Sequence, residues 1–144
     1  MSGEPTGLFD VERLILERLR TEVTGLKTID SSSLVAGSSS FTELLPAVFV
    51  EPGGGSVDAT SGYDDLPLKQ TWSVLLVVSH HRSKPGDTSS ARLAGPLAVR
   101  IIRALHGWSP GEDTEPLLFT DHLDPVSSVG WAMFELRFAW AFRL

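Results

Sequence analysis

The sequence predicts an α+β fold: one domain in which a mixed or antiparallel sheet of four to five strands packs with two main helices. Three stretches carry that expectation. Residues 130–144, GWAMFELRFAWAFRL, alternate their side chains with the period of two that a half-buried strand demands. Residues 70–81, QTWSVLLVVSHH, centre on the apolar run VLLVV, the mark of a strand covered on both faces. Residues 8–23, LFDVERLILERLRTEV, repeat their apolar positions at steps of three and four, which gathers them on one side of a helix with 3.6 residues per turn. Helix and strand periods alternating along 144 residues suit a single domain spanning 1–144. Hydrophobic residues make up 42% of the chain, enough for a core and too many for wholesale disorder.

In the first helix the inward row is Leu8, Val11, Ile15, Leu19 and Val23, with Glu12, Glu17, Arg18 and Arg20 around the rest of the surface. Its expected role is to cover a sheet face. Gly25 is the expected stop, and LKTI after it a short strand. Residues 31–40, SSSLVAGSSS, read as loop or a short helical turn and match no motif. AVFVEP, 47–52, is a strand of β-branched and aromatic type that Pro52 is expected to stop.

Residues 53–67, GGGSVDATSGYDDLP, are too polar to pack and are expected to form a long mobile loop, of the kind that is usually functional. The glycine run is not a phosphate cradle, because no Lys-Ser/Thr pair follows it and no helix begins there. After the strand at 70–81, RSKPGD makes a turn, and Asp87 or Thr88 can cap a helix running to about His106. Leu93, Leu97, Ile101 and Leu105 are its expected buried row, with Arg92, Arg100 and Arg103 outside. Gly95-Pro96 falls within this stretch, so the helix either kinks or begins there. Gly107 offers a left-handed stop.

SPGEDTEP, 109–116, is an acidic loop, and LLFTDHLDP supplies a short strand and a turn. In the closing strand the even positions Phe134, Leu136, Phe138, Trp140 and Phe142 fill the core. The opposite side presents Glu135, Arg137 and Arg143 to solvent or to a polar partner.

The formal charge of −6 argues against a basic face that grips phosphates. The first twenty residues carry charges every few positions and no signal-peptide core, and no apolar run reaches the roughly 18 residues of a membrane helix, so no membrane association is expected. With no cysteine there is no disulfide or thiolate chemistry. His80 and His81 are adjacent, which in a strand sends them to opposite faces. A metal site built from His80 with Asp121, His122 and Asp124 is geometrically open, yet no spacing demands it. No serine stands in a nucleophile elbow. The carboxylate pairs Asp64-Asp65 and Glu112-Asp113 lie in hydrophilic loops, where solvated acids stay ionised. The expectation is no catalytic, cofactor-binding or metal-ligating residue and no cofactor.

FDVERLILERLRTEV, then LLPAVFVEP with its Gly/Asp-rich sequel, WSVLLVVSHH, RLAGPLAVRIIRALHGWSP and GWAMFELRFAWAF follow one another in an order that resembles the tail terminator (tail completion) proteins of long-tailed bacteriophages, the Mu-like group above all. The resemblance runs from Leu8 to Phe142, and rests on segment order, length and the phrases ALHGW and GWAMFELRF. It implies a structural virion protein at the head-proximal end of the tail, assembled in the host cytoplasm. It implies a ring, usually hexameric, that caps the tail tube and offers a docking surface to the head-side connector. The implied partners are other copies of the chain, the tail tube protein and the head–tail connector or neck protein, with the sheath protein as a further contact. DNA would pass through the lumen without specific binding. On that basis Arg100 and Arg103 are expected to meet acids of a neighbouring copy. Asp58, Tyr63, Asp64 and Asp65 of the loop, and Glu135 and Arg137 of the last strand, are the other expected partner contacts. The rival readings are a neck or head–tail joining subunit and, in a different class, a small metal-dependent hydrolase using His80, Asp121 and His122.

Overall fold

Helix α1 (Asp10–Glu22) turns Val11, Ile15 and Leu19 of the expected row inward, with Leu14 and Leu16 buried beside them, while Leu8 lies outside the described residues. Acids Asp10 and Glu12 in the first turn and Arg20 in the last complement the helix dipole. In the computed structural model, which describes residues 10–31, 41–57, 67–80, 89–111, 114–128 and 130–143, the helix is followed by strands β1 (Thr28–Ser31), β2 (Ala47–Val57) and β3 (Pro67–His80). Then come helix α2 (Ser89–Leu105) and strands β4 (Leu118–His122), β5 (Val126–Ser128) and β6 (Gly130–Arg143). A short 3-10 turn, Phe41–Leu44, precedes β2. The fold is α+β with a mixed sheet, as the sequence predicts, although its strands number six where four to five were expected.

The sheet runs β1-β2-β3-β6-β4, with β5 also on β6; β1 and β2 are parallel, and the remaining pairs are antiparallel. Strands β3 and β6 pair without interruption from Pro67 opposite Arg143 to His80 opposite Gly130. On the other edge of β6, β5 meets Trp131–Met133, β4 meets Leu136–Ala139, and the amide of Leu123 bridges the gap by donating to the Glu135 carbonyl. The C-terminal strand is therefore an inner strand, which explains why it is so apolar.

Both helices cover one face. Cross-strand rows on that side include Val50, Val74 and Leu136, then Val48, Leu76 and Phe134. These join α1 and the inward row of α2 in one core, whose largest fully buried side chains are Trp72, Trp140 and Phe138. The buried indoles have acceptors: Trp140 Nε1 donates to the Glu115 carbonyl at 2.9 Å, and Trp72 Nε1 to Gln70 Oε1 at 3.3 Å. Arg18 ties the helices together, donating from Nε to the Ala104 carbonyl at 3.0 Å with its guanidinium over the Trp108 ring. Gly25 and Gly107 end the helices at φ values of 93° and 82°, the left-handed stops expected of them.

Three expectations are corrected. Pro52 does not stop β2, which continues through Gly53, Gly54 and Gly55 to Val57, so the expected 53–67 loop is shortened at both ends: 53–57 belong to β2, and Pro67 opens β3. Proline is tolerated at sheet edges and bulges. Pro52 sits at both, because β1 covers β2 only as far as Val50 and the register with β3 shifts between Pro52 and Gly55. Glycine is required there, since Gly54 has φ 102° and a Cβ on Gly55 would lie 3.0 Å from the Lys69 carbonyl. Residues 58–66, with Asp58, Tyr63, Asp64 and Asp65, lie outside the described residues, as do 32–40 of the Ser-rich segment.

Second, Leu93 is not in the buried row of α2; it is 55% exposed, and Ala94 takes the inward place. A step of four residues advances 400°, so a row spaced by fours drifts about 40° per step, and three steps before Leu105 it has left the buried arc. Third, α2 does not begin at Gly95-Pro96; it starts at Ser89 and runs through both. They sit on its exposed side, where water can replace the missing donor. No helix among the described residues is long and apolar enough to cross a membrane.

Phe138 lies fully buried at the centre of this core, stacked at a tilt against Phe119 with centroids 5.5 Å apart. Phe138→Ala is expected to lower unfolding free energy by about 3–5 kcal/mol in urea denaturation, because the surrounding sheet cannot collapse into the void.

Candidate assembly surface

The helix-free face of the sheet is read off the odd positions of β6 and their cross-strand neighbours. At one end Leu45, Ala47, Phe49 and Val77 form a small second cluster with Leu75, Trp131 and Met133 half-buried beside it. At the middle, Glu51, Ser73, Arg137 and Asp121 lie in one row across β2, β3, β6 and β4. A polar row inside an otherwise apolar strand requires partners, which Arg137 and Asp121 supply for each other and Glu135 supplies for Ser73. Ser73, only 3% exposed, donates from its hydroxyl to Glu135 Oε2 at 2.9 Å. Arg137 engages Asp121 through two hydrogen bonds, Nε to Oδ1 at 3.0 Å and Nη2 to Oδ2, the fork geometry that favours arginine with a carboxylate. Thr120 donates to the same Oδ1 of Asp121. The hydrogen bond from Arg137 lowers the pKa of Asp121, with that from Thr120 adding to it, and the same pairing raises that of Arg137.

The expected contact residues fall in different places. Glu135 and Arg137 share the helix-free face, each with a partner inside the chain. Arg100 and Arg103 are exposed on α2, on the helix side of the sheet. Arg100 donates to the Thr24 carbonyl at 3.4 Å, just past the end of α1, whereas Arg103 makes no ion pair among the described residues. The acids and tyrosine of 58–65 lie outside the described residues.

The metal reading has no geometric basis. His80 pairs with Gly130 and Asp121 with Arg137, on opposite edges of β6. Seven residues separate those positions on β6, about 23 Å at strand rise, so His80 cannot share an ion with Asp121. His106 is engaged elsewhere: its Nδ1 accepts from the Phe119 amide at 3.0 Å and so covers one donor of the β4 edge. Among the described residues no three His, Cys, Asp or Glu side chains group to hold a metal ion.

The pairing of Asp121 with Arg137 was not foreseen, because it depends on the shift between Phe119 and Asp121 that places Asp121 opposite Arg137. Also missed were the exposed large apolar residues Leu118, Leu123 and Val126 around β4 and β5. Short exposed strands offer no alternation by which to sort their sides. The arrangement is suited to binding, with Arg137 and Asp121 paired and the apolar Leu118, Leu123 and Val126 left exposed.

Comparison with known proteins bears on what is bound. The family model for "Phage tail terminator protein" matches residues 5–144. No curated protein matches the chain at the sequence level. Among solved structures, a chain from the "Virion of native gene transfer agent (GTA) particle" is similar with a TM-score of 0.62 and 13% identity, over 93% of this chain and 95% of that one. At that identity the likeness is one of fold.

The Asp121–Arg137 pair has a pH signature. A carboxylate whose folded pKa is depressed adds stability above its unfolded pKa and loses it as pH falls through the folded value. Asp121→Asn is therefore expected to flatten the fall in melting temperature below about pH 4, the ordinary aspartate range, while shifting the neutral-pH value little. Thermal melts between pH 3 and 7 check this; parallel curves for the two proteins would remove the pair from the acid response.

Proposed function

The chain belongs to the phage tail terminator family, and from that premise we propose that it is a structural protein of a virion tail that works by capping. Copies of it close into a ring, six in the simplest case, on the finished tail tube at its head-proximal end. The ring ends tube growth and presents the surface on which the head-side connector docks. The observation that carries this reading is the family match over residues 5–144. The described surface is compatible with it: a sheet face that carries the Ser73–Glu135 and Arg137–Asp121 pairs and no helix among the described residues, and exposed apolar side chains on both α2 and the β4–β5 edge. The tube protein, the connector and the sheath are the partners of this reading, and no turnover is involved.

Charge fits the passage of DNA. Each chain carries a formal −6, so six copies would carry 6 × −6 = −36. An acidic ring denies DNA the multi-phosphate grip that makes binding tight, so a genome can pass through without sticking.

Loss of the chain from assembling particles should give tubes that overgrow and do not join heads, seen by negative-stain microscopy. Tails of normal length that fail only to join would move the protein to the neck, and normal joined tails would refute both readings. The residues between β2 and β3 are proposed to dock on a tail or connector partner. The test replaces Asp58, Asp64 and Asp65 by Asn together with Tyr63→Ala. The same variant should lower head joining in an assembly assay, and unimpaired joining would take this segment out of the docking surface.

A further inference from the structure

Charge is segregated along this chain. Residues 88–103 contain Arg92, Arg100 and Arg103 and no acid, whereas residues 104–136 contain six acids and no Lys or Arg. In the fold the arginines lie on α2, whereas at the β4–β5 edge Asp121 is paired with Arg137 and Asp124 stands exposed. On α2, Arg92, Leu93, Val99 and Arg103 lie within one arc of the outer side, Leu93 55% and Val99 46% exposed. Neither Arg92 nor Arg103 has an acidic partner among the described residues. The β4–β5 edge shows the complement: Leu118 is 49% and Val126 53% exposed, with Leu123 and Asp124 exposed in the turn between the strands. Five of the six large apolar side chains exposed among the described residues thus lie on one of these two patches.

The patches look in opposite directions. α2 lies on the helix side of the sheet. Leu118 pairs with Ala139 and Val126 with Met133, odd positions of β6 that belong to the helix-free face.

We propose that the outer face of α2 in one copy docks on the β4–β5 edge of the next, apolar against apolar with Arg92 and Arg103 against Asp124. The contact rests on the self-assembly reading above and says which surfaces make it. Matching an apolar centre with a charged surround is what a stable protein interface requires, and arginine is favoured there for its fork of donors. Two different patches facing opposite ways make a heterologous contact, which propagates head to tail and closes when the rotation allows. Charge complementarity between two parts of one chain selects a second copy as the occupant.

The absence of cysteine makes the contact directly testable. Val99→Cys and Val126→Cys place single thiols on the two patches at exposed positions, for linking with a short bis-maleimide in assembled tails and in concentrated free protein. Mixed single variants should give cross-linked dimers, each single variant alone should give none, and the V99C/V126C chain should give a ladder that ends at the ring. Reversing Arg92 and Arg103 to Glu should lower the linked fraction by at least about tenfold, because like charges then face each other, and adding Asp124→Arg should restore part of it. If tails hold several copies of the chain and the double variant does not link, this contact is wrong while the ring reading stands. Dimers from V99C alone would also overturn it, since they mean a symmetric contact. If native mass spectrometry of released tail tips finds single copies, the ring reading falls and the contact with it.

Discussion

The unbroken pairing of β3 with β6 is the constraint on which the structure depends. Fourteen residues of each strand lie in register, and their even positions, from Leu68 opposite Phe142 to Val78 opposite Ala132, share one face. Since side chains alternate, a slip of β6 by one residue against β3 would carry Phe138 and Trp140 to the helix-free side and bring Glu135 and Arg137 under the helices. The first change would expose two of the largest buried side chains of the core, and the second would bury two ionised groups away from water. Both penalties oppose the same error, so the register is specified twice. The apolar character of the last strand and the charges set into it are two parts of one device.

From that ladder the other elements take their places. β2 extends the sheet on the outer edge of β3, and β1 covers only the first four residues of β2. β4 and β5 share the outer edge of β6 between them. Helices α1 and α2 close the even face, held to each other by Arg18 at the Ala104 carbonyl and Arg100 at the Thr24 carbonyl. The odd face receives no helix. Ser73 is paired there with Glu135 and Arg137 with Asp121, and a small apolar cluster of Leu45, Ala47, Phe49 and Val77 lies at one end.

The elements legible in the sequence were those whose signal is local and repeated. Period two over 130–143, the apolar run at 74–78, and the stripe of α1 each repeat often enough to define a face. Gly25 and Gly107 were legible because a helix end needs a left-handed residue and glycine adopts it without strain. The failures were positional. Pro52 reads as a stop because proline lacks a donor, but its effect depends on whether a neighbouring strand needs that donor, which no local window reveals. Leu93 was misplaced because a row spaced by four is not the true helical period. The link between Asp121 and Arg137 depends on one shift of register between distant segments, so only the assembled sheet shows it. Of the candidate surface, the charged positions of β6 were legible. The exposed leucines and valine of the β4–β5 edge were not, because exposure of a single apolar residue has no sequence signature.

The segregation of charge has a further consequence for how such a chain behaves before assembly. Net charge opposes association at long range, since two copies each carry −6 and repel. At physiological salt that repulsion is screened beyond about 8–10 Å, and attraction between opposed patches likewise acts only within that distance. On the proposed capping reading, copies brought side by side on a tube tip would already be within the range where arginine meets carboxylate and the apolar residues lose water. A surface able to place them there lowers the entropy cost of each contact, because orientation is supplied by the template and not by the encounter. An acidic chain with one basic helix face is thus suited to remain dispersed until a template gathers it.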